Sequence, residues 1–270
     1  MILIKKILNN ISETNKYYKS QKFNLLNGDS IKLINQIEEN SIDMIFADPP
    51  YFLSNDGITC KSGKMVSVNK GEWDKKDNIE EIHEFNKAWI KEAKRILTSN
   101  GTIWVSGTYH NIYSLGMALQ QYKYKILNNV VWYKKNPPPN LGCRTFTHSN
   151  ETIIWAKKSK DSKHYFNYDL MKSMNNNKQM KDVWLIGQLR KKEKKHGKHP
   201  TQKPLRLLKR IIQASTEREM VILDPFNGSG TTGLAAAELG RKYIGIDLEK
   251  EYLDLTVKRY EEFSRQLKLF

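Results

Sequence analysis

Two short apolar runs in this chain each stop dead at an Asp-Pro. Ser41–Ala47 (SIDMIFA) ends in Asp48-Pro49-Pro50-Tyr51, and Met220–Leu223 ends in Asp224-Pro225-Phe226-Asn227-Gly228-Ser229-Gly230-Thr231-Thr232-Gly233. Apolar runs of this length bounded by proline and glycine predict buried strands. Helical periods lie between such runs. Ile82, Phe85, Trp89, Ala93 and Ile96 recur at helical spacing, and Asn100-Gly101 closes that segment. Leu205–Ser215 reads as a helix with Pro204 suited to its first turn, Thr231–Leu239 as another, and Leu253, Val257 and Tyr260 line one face of a last one. Thr102–Ser106, Asn129–Tyr133, Glu151–Trp155 and Tyr243–Ile246 read as further strands, the middle two as a pair. Strands alternating with helices predict an α/β fold, a doubly wound and mostly parallel sheet with an antiparallel hairpin at one edge. Residues 52–78 and 157–199 break the alternation, and the second stretch reads as an inserted or mobile segment outside the sheet. It ends in Arg190–His199, with six Lys or Arg against one Glu.

The second Asp-Pro turn carries a nucleoside-site pattern. Gly228, Gly230 and Gly233 spell G-x-G-x-x-G between a strand and a helix, and Asp247 ends the next strand, where a carboxylate can accept both hydroxyls of a ribose. In a dinucleotide loop the first glycine follows the strand almost at once, beneath a pyrophosphate. Here Asp224-Pro225-Phe226-Asn227 intervenes. A carboxylate there repels a pyrophosphate and stabilises a cation, so S-adenosylmethionine, with its sulfonium and ammonium groups, fits better than a nicotinamide dinucleotide. No lysine follows the glycines as a phosphate-binding loop requires.

The first turn suits chemistry on an aromatic amine. An exocyclic amine on a nucleobase is a poor nucleophile because its lone pair is delocalised into the ring. Two acceptors at its N–H groups draw the nitrogen toward tetrahedral geometry. The Asp48 carboxylate can be one and the Pro49 carbonyl the other, since Pro49 and Pro50 stiffen the loop. Tyr51 offers a flat face on which a base can stack.

Charge supports that direction without deciding it. Lys and Arg number 45 against 29 Asp and Glu, a net charge of +16 in 270 residues, which suits a polyanionic partner or simply solubility. Two cysteines, Cys60 and Cys143, exclude a disulfide framework and read as ordinary thiols of a reducing cytoplasm. No run approaches a membrane span, and the start turns polar too soon for a signal-peptide core. No metal-ligand cluster appears in the sequence, and none is expected.

DPPY together with DPFNGSGTT resembles the amino-group DNA methyltransferases that use S-adenosylmethionine. The catalytic motif precedes the glycine motif by 176 residues, with His199-Pro200-Thr201-Gln202-Lys203-Pro204 just before the latter. This permuted order is similar to the beta class. DPPYFLSNDG, Gly71-Glu72-Trp73-Asp74, NPPPNLGCR with Phe146, and HYFNYDLM resemble the second, single-strand-capable methyltransferase of GATC-specific restriction–modification systems. The resemblance implies a seven-stranded methyltransferase sheet of Rossmann-like type. It implies catalytic roles for Asp48, Pro49, Pro50 and Tyr51. It implies cofactor contacts from Asp29, Lys203, Pro204, Asp224, Phe226, Gly228, Ser229, Gly230, Thr231 and Asp247. Asp at the head of the catalytic motif goes with adenine N6 in this family. Residues 20–136 are then a catalytic half, 137–199 a target-recognition segment and 200–270 the half that binds S-adenosylmethionine. Arg144 is a candidate for a bidentate guanine contact, with Lys134, Arg190, Lys191 and Lys192 as further nucleic-acid contacts. DNA, double- or single-stranded, is the implied partner, with a homodimer and a cognate restriction endonuclease as further expectations. The competing readings are N4-cytosine methylation, a non-catalytic DNA-binding regulator on the same fold, and a nicotinamide-dependent oxidoreductase.

Overall fold

Both Asp-Pro turns sit at strand ends of one sheet. The computed structural model describes residues 4–52, 58–61, 64–67, 78–187, 189–197 and 199–267. In chain order the strands are β1 (Lys16–Lys19), β2 (Phe23–Asn27), β3 (Ile42–Ala47), β4 (Ile58–Lys61), β5 (Lys64–Ser67), β6 (Leu97–Gly107), β7 (Lys125–Tyr133), β8 (Asn150–Lys157), β9 (Val183–Leu185), β10 (Val221–Asp224) and β11 (Lys242–Asp247). The helices are α1 (Ile4–Ile7), α2 (Ser30–Ile34), α3 (Ile79–Ile96), α4 (Ile112–Gln121), α5 (Tyr168–Ser173), α6 (Leu205–Ser215), α7 (Thr231–Glu238) and α8 (Lys250–Leu267).

Nine strands form the main sheet in the order β1-β2-β11-β10-β3-β6-β8-β7-β9. From β2 to β6 the neighbours are parallel, and β8 runs antiparallel to both β6 and β7. The seven strands from β2 to β7 are the expected sheet. Two short strands extend it: β1 pairs antiparallel with β2, and β9 runs parallel to β7. The β7–β8 hairpin is therefore not the rim. This corrects the reading of residues 157–199 as lying outside the sheet, since Val183–Leu185 is β9 and Tyr168–Ser173 is α5. A three-residue strand is too short to show a period of two, so the sequence pattern missed it. β4 and β5 form a separate antiparallel ribbon directly after the DPPY turn.

The apolar runs are continuous because both sheet faces are covered. Along β3, Ile42, Ile45 and Ala47 join a core with Trp89, Ile90 and Leu115 of α3 and α4. Met44 and Phe46 point the other way, into a core with Leu207, Leu208 and Ile211 of α6. Each fully buried aliphatic or aromatic side chain here contributes roughly 1.5–3 kcal/mol. α3 starts at Asn78, whose side chain accepts from the Glu80 amide, and α2 starts at Asp29, which accepts from the Lys32 amide at 2.9 Å.

From β10 the chain passes through α7 to β11 on one side; from β3 it passes to β6 on the other. The strand order thus reverses between β10 and β3, the place where open α/β sheets leave a crevice at their carboxyl ends. Among the described residues no helix is long and apolar enough to cross a membrane.

Candidate active site

The crevice is a cavity of about 300 Å³ lined by Asp48, Pro49, Pro50 and Tyr51 from the end of β3 and by Asp224 to Ser229 from the end of β10. Asp29, Thr231 and Asp247 also line it. Ile222 and Leu223 pair with Met44 and Ile45, so the two turns emerge side by side although 176 residues separate them in sequence.

The glycine turn holds its shape through packing. Gly230 has φ +72° and caps α7, and a β-carbon there would lie 2.3 Å from Thr256 Cγ2 of α8. Gly233 packs so closely that a β-carbon would lie 2.6 Å from Tyr243 and 2.7 Å from Phe23. Gly230 is therefore required by the approach of α8 and the left-handed backbone, not by contact with a ligand. The buried Arg259 clamps the same turn, donating to the Ser229 carbonyl and, at 3.2 Å, to Thr231 Oγ1. Asn227 donates to the Gly228 carbonyl and to Thr256 Oγ1, and accepts from the Tyr243 hydroxyl.

Asp48 is held on both oxygens. Tyr51 Oη donates to Oδ1 at 2.5 Å, and Lys203 Nζ bonds Oδ2. Lys203, only 6% exposed, also donates to Tyr51 Oη at 2.8 Å and lies 3.5 Å from Glu151 Oε2. Lys134 closes the cluster by pairing with Glu151. Burial disfavours the Lys203 ammonium, but Asp48 and Glu151 outweigh it and hold Lys203 above the usual lysine value. Burial likewise opposes the Glu151 charge, yet Lys203 and Lys134 hold that carboxyl below its usual value. Burial, with Asp48 and Glu151 beside it, pushes the Tyr51 phenol well up, so it stays a neutral donor. Each Asp48 oxygen has a second lone pair with which to accept from an incoming amine. Tyr51 is 4% exposed and lines the cavity as a packed wall, with Lys203 Nζ 5.2 Å from its ring centroid.

The loop behind this cluster is pinned from the far side. Asn111 Nδ2 donates to the Pro50 carbonyl at 2.9 Å and Asn111 Oδ1 accepts from Asn86 Nδ2 at 2.6 Å, both asparagines being buried. Asn86 continues to Ser114 Oγ at 2.9 Å.

Two further acids define the other half of the cavity. Asp224 accepts from the Phe226 amide at 3.0 Å, and burial pushes its carboxyl up to about 7. Asp247 accepts from the Gly228 and Glu249 amides at 2.6 and 3.0 Å, and burial pushes it up to about 6. The lining contains five carboxylates and a single lysine. A pyrophosphate would meet repulsion in such a cavity; a cationic nucleoside would relieve the buried acids. The residues present therefore fit S-adenosylmethionine, with Asp247 keeping lone pairs for a ribose and Phe226 supplying an apolar wall. Phe226 packs edge-on against Trp89 with centroids 5.6 Å apart. Asp29 lies at the rim, and Pro204 stands at the N-cap of α6.

The residues assigned to nucleic acid are scattered. Arg144 and Arg190 are exposed. Lys134, expected on that surface, instead turns its ammonium onto Glu151, because a buried carboxylate there demands a cation. Lys191 and Lys192 lie in the 3-10 turn Lys191–Lys194, and their side chains lie outside the described residues, as does the Gly71–Asp74 segment. The basic run is partly an anchor. Glu193 accepts from the Leu205 amide at the start of α6, and Lys195 and His196 pair with Glu262 of α8. His199 lines the cavity beside Gly228, its ring edge-on to Tyr252 with centroids 4.3 Å apart. Sequence reasoning missed Glu151, Asn86, Asn111 and Arg259. An acid opening the apolar strand ETIIW is the one signal that could have pointed to Glu151.

A family model described as DNA methylase matches residues 42–258. The type II methyltransferase M2.DpnII of Streptococcus pneumoniae is 59% identical over 249 residues, covering 92% of this chain and 93% of its own length. The type II methyltransferase M2.MboI of Moraxella bovis is 55% identical over 254 residues, covering 93% of each. Among solved structures, a complex of M1.HpyAVI with SAM has a TM-score of 0.64 at 28% identity, covering 88% of this chain and 99% of that one. The cytosine-N4-specific PvuII DNA methyltransferase has a TM-score of 0.72 at 21% identity, covering 93% of each, a likeness of fold.

Proposed function

We propose, from the premise that this chain belongs to the DNA methylase family, that it is an adenine-N6 methyltransferase acting at GATC within a restriction–modification system. The observation that carries this reading is the adjacency of β3 and β10, which opens the Asp48 and Asp224 turns into one cavity. S-adenosylmethionine, when bound, supplies an electrophilic methyl group on its sulfonium.

The chain's own residues do the rest. Asp224 and Asp247 receive the cationic nucleoside on the β10–β11 side. Asp48, held in place by Lys203 and Tyr51, accepts one N–H of the target amine, and the Pro49 carbonyl accepts the other. The amine nitrogen loses conjugation and points its lone pair at the donor. Asp48 need not be a full base, since nitrogen becomes strongly acidic as it turns cationic. Tyr51 fixes Asp48 through its hydroxyl and walls the pocket that the extruded base enters. Residues 20–136 then serve as the catalytic half, 137–199 as the target-recognition segment and 200–270 as the cofactor half. Arg144 is assigned a guanine contact, and Arg190 with Lys191 and Lys192 contacts to the phosphate backbone. Double- or single-stranded DNA as substrate, a cognate restriction endonuclease and pairing of two chains belong to the same reading. Support comes from the 55–59% identity to type II methyltransferases.

Sequencing-based mapping of modified bases in a methylation-free host tests it. Expression of the wild-type chain should mark adenine in GATC, and Asp48→Ala should leave the DNA bare while the purified variant still binds S-adenosylmethionine. N4-methylcytosine, or marks persisting with Asp48→Ala, would overturn the assignment.

A further inference from the structure

The connection between β7 and β8 carries an aromatic ring that no described residue covers. Phe146 is 96% exposed, the highest value for a large apolar side chain among the described residues. Its position is directed. β8 is antiparallel to β6 and Thr152 pairs with Gly107, so residues 134–149 emerge at the carboxyl end of the parallel strands, the end of the sheet that carries the Asp48 and Asp224 turns. Glu151, at the foot of this connection, lies 3.5 Å from both Lys203 and Tyr51.

The tip is braced. Asn140 Nδ2 donates to the Thr145 carbonyl at 2.8 Å and to Thr145 Oγ1 at 2.6 Å, and Asn140 Oδ1 accepts from the Gly142 amide at 3.0 Å. Cys143 takes φ +49° to turn the chain inside this brace. On the return side His148 stacks on Tyr109, centroids 4.8 Å apart and planes 20° from parallel, which fastens the connection to the turn after β6. Residues 134–149 contain Lys134, Lys135 and Arg144 and no Asp or Glu. An apolar ring held out by a braced turn, on the carboxyl-end side of the sheet and near the exposed cations Lys135 and Arg144, matches a partner with a charged exterior and a stacked apolar interior. Duplex DNA has that chemistry, and apolar side chains do wedge between its base steps.

We propose that Phe146 enters the base stack beside the target and fills the gap left when the adenine swings into the Asp48 pocket. The inference rests on the DNA-methylating reading above. It makes Phe146 a positioning residue for paired DNA, with no part in the transfer itself.

The test compares wild type, Phe146→Ala and Phe146→Trp on three substrates: a GATC duplex, the same strand alone, and a duplex with an abasic site opposite the target adenine. Unstacking costs energy only where the base is stacked and paired. Phe146→Ala should lose about 10- to 100-fold in kcat/KM on the duplex and stay within about twofold of wild type on the other two. Phe146→Trp should recover most of the duplex activity. With 2-aminopurine at the target position, the fluorescence rise on binding should shrink in Phe146→Ala. Equal losses on all three substrates, or no loss on the duplex, would overturn the proposal. Tighter dependence of anionic-vesicle binding than of duplex binding on Phe146 would also overturn it and point to a membrane surface. Failure of the underlying reading looks different, because wild type would then methylate none of the three substrates.

Discussion

Lys203→Met should cost more than any other single change in the cavity wall. The ammonium bonds Asp48, donates to Tyr51 Oη at 2.8 Å and lies 3.5 Å from Glu151. With Lys134 it balances two carboxylates, and none of the four side chains is more than 23% exposed. Methionine keeps the stem but leaves one buried negative charge in excess. Breaking a buried ion pair from one side costs about 3–5 kcal/mol. That is a large part of a typical stability of about 5–15 kcal/mol. Glu151→Gln in the same chain restores neutrality, so the double variant should regain about half of the loss, a coupling of about 2 kcal/mol. Urea denaturation of wild type, both single variants and the double variant gives the cycle directly. The acid limb adds a second readout. Glu151 is held below its usual value, so its stabilisation is present above the unfolded-state pKa and fades as pH falls through the folded one. That limb should flatten in Glu151→Gln. A Lys203→Met penalty under about 1 kcal/mol, or additive penalties in the double variant, would refute the charge-balance reasoning.

Asp48→Asn should lower the methylation rate by at least about 10²-fold with cofactor affinity within twofold of wild type, measured by single turnover and by titration. Burial raises Asp224 and Asp247 to about 7 and about 6, and raised acids take up protons on folding, so these two weaken stability as pH climbs through that range. A bound cation favours their ionised forms, so S-adenosylmethionine affinity should fall below neutrality by up to about tenfold per pH unit per group. Calorimetry in buffers of different ionisation heat should detect the released protons, and zero release would count against the assignment. Gly230→Ala combines a φ of +72° with a contact at 2.3 Å and should destabilise by more than about 2 kcal/mol, seen as a drop in Tm. Asn111→Ala strips the Pro50 carbonyl and Asn86 of buried partners and should lower kcat about tenfold, leaving the cofactor Kd unchanged.

The alternation of elements was legible because both sheet faces are covered, which makes β3 and β10 unbroken apolar words such as MIFA and VIL. Their adjacency followed from the rule that ligands gather where strand order reverses. The edges were not legible. β9 is three residues long and β1 is a half-exposed KYYK, neither carrying a period. Several cavity-lining residues lie inside motifs, where spacing marks them in the sequence. Glu151 and Asn111 act across 100 and 61 residues of sequence on Tyr51 and Pro50, and no local pattern reports such a meeting. Lys203, assigned from the sequence to the cofactor, lies against the Asp48 carboxylate, because only the folded chain brings the start of α6 against the end of β3. The G-x-G-x-x-G spacing does not report what the glycines pack against; at Gly230 and Gly233 a β-carbon would meet Thr256, Tyr243 and Phe23.

If the proposed function is right, one cavity holds the methyl donor and the accepting amine together. A crystal structure with S-adenosylhomocysteine and a duplex containing GATC measures that most directly. The thioether sulfur should lie between the Asp224–Gly230 turn and Asp48, with the extruded adenine's N6 hydrogen-bonded to Asp48 and the Pro49 carbonyl. A nucleoside bound elsewhere, or a sulfur facing away from Asp48, would contradict it.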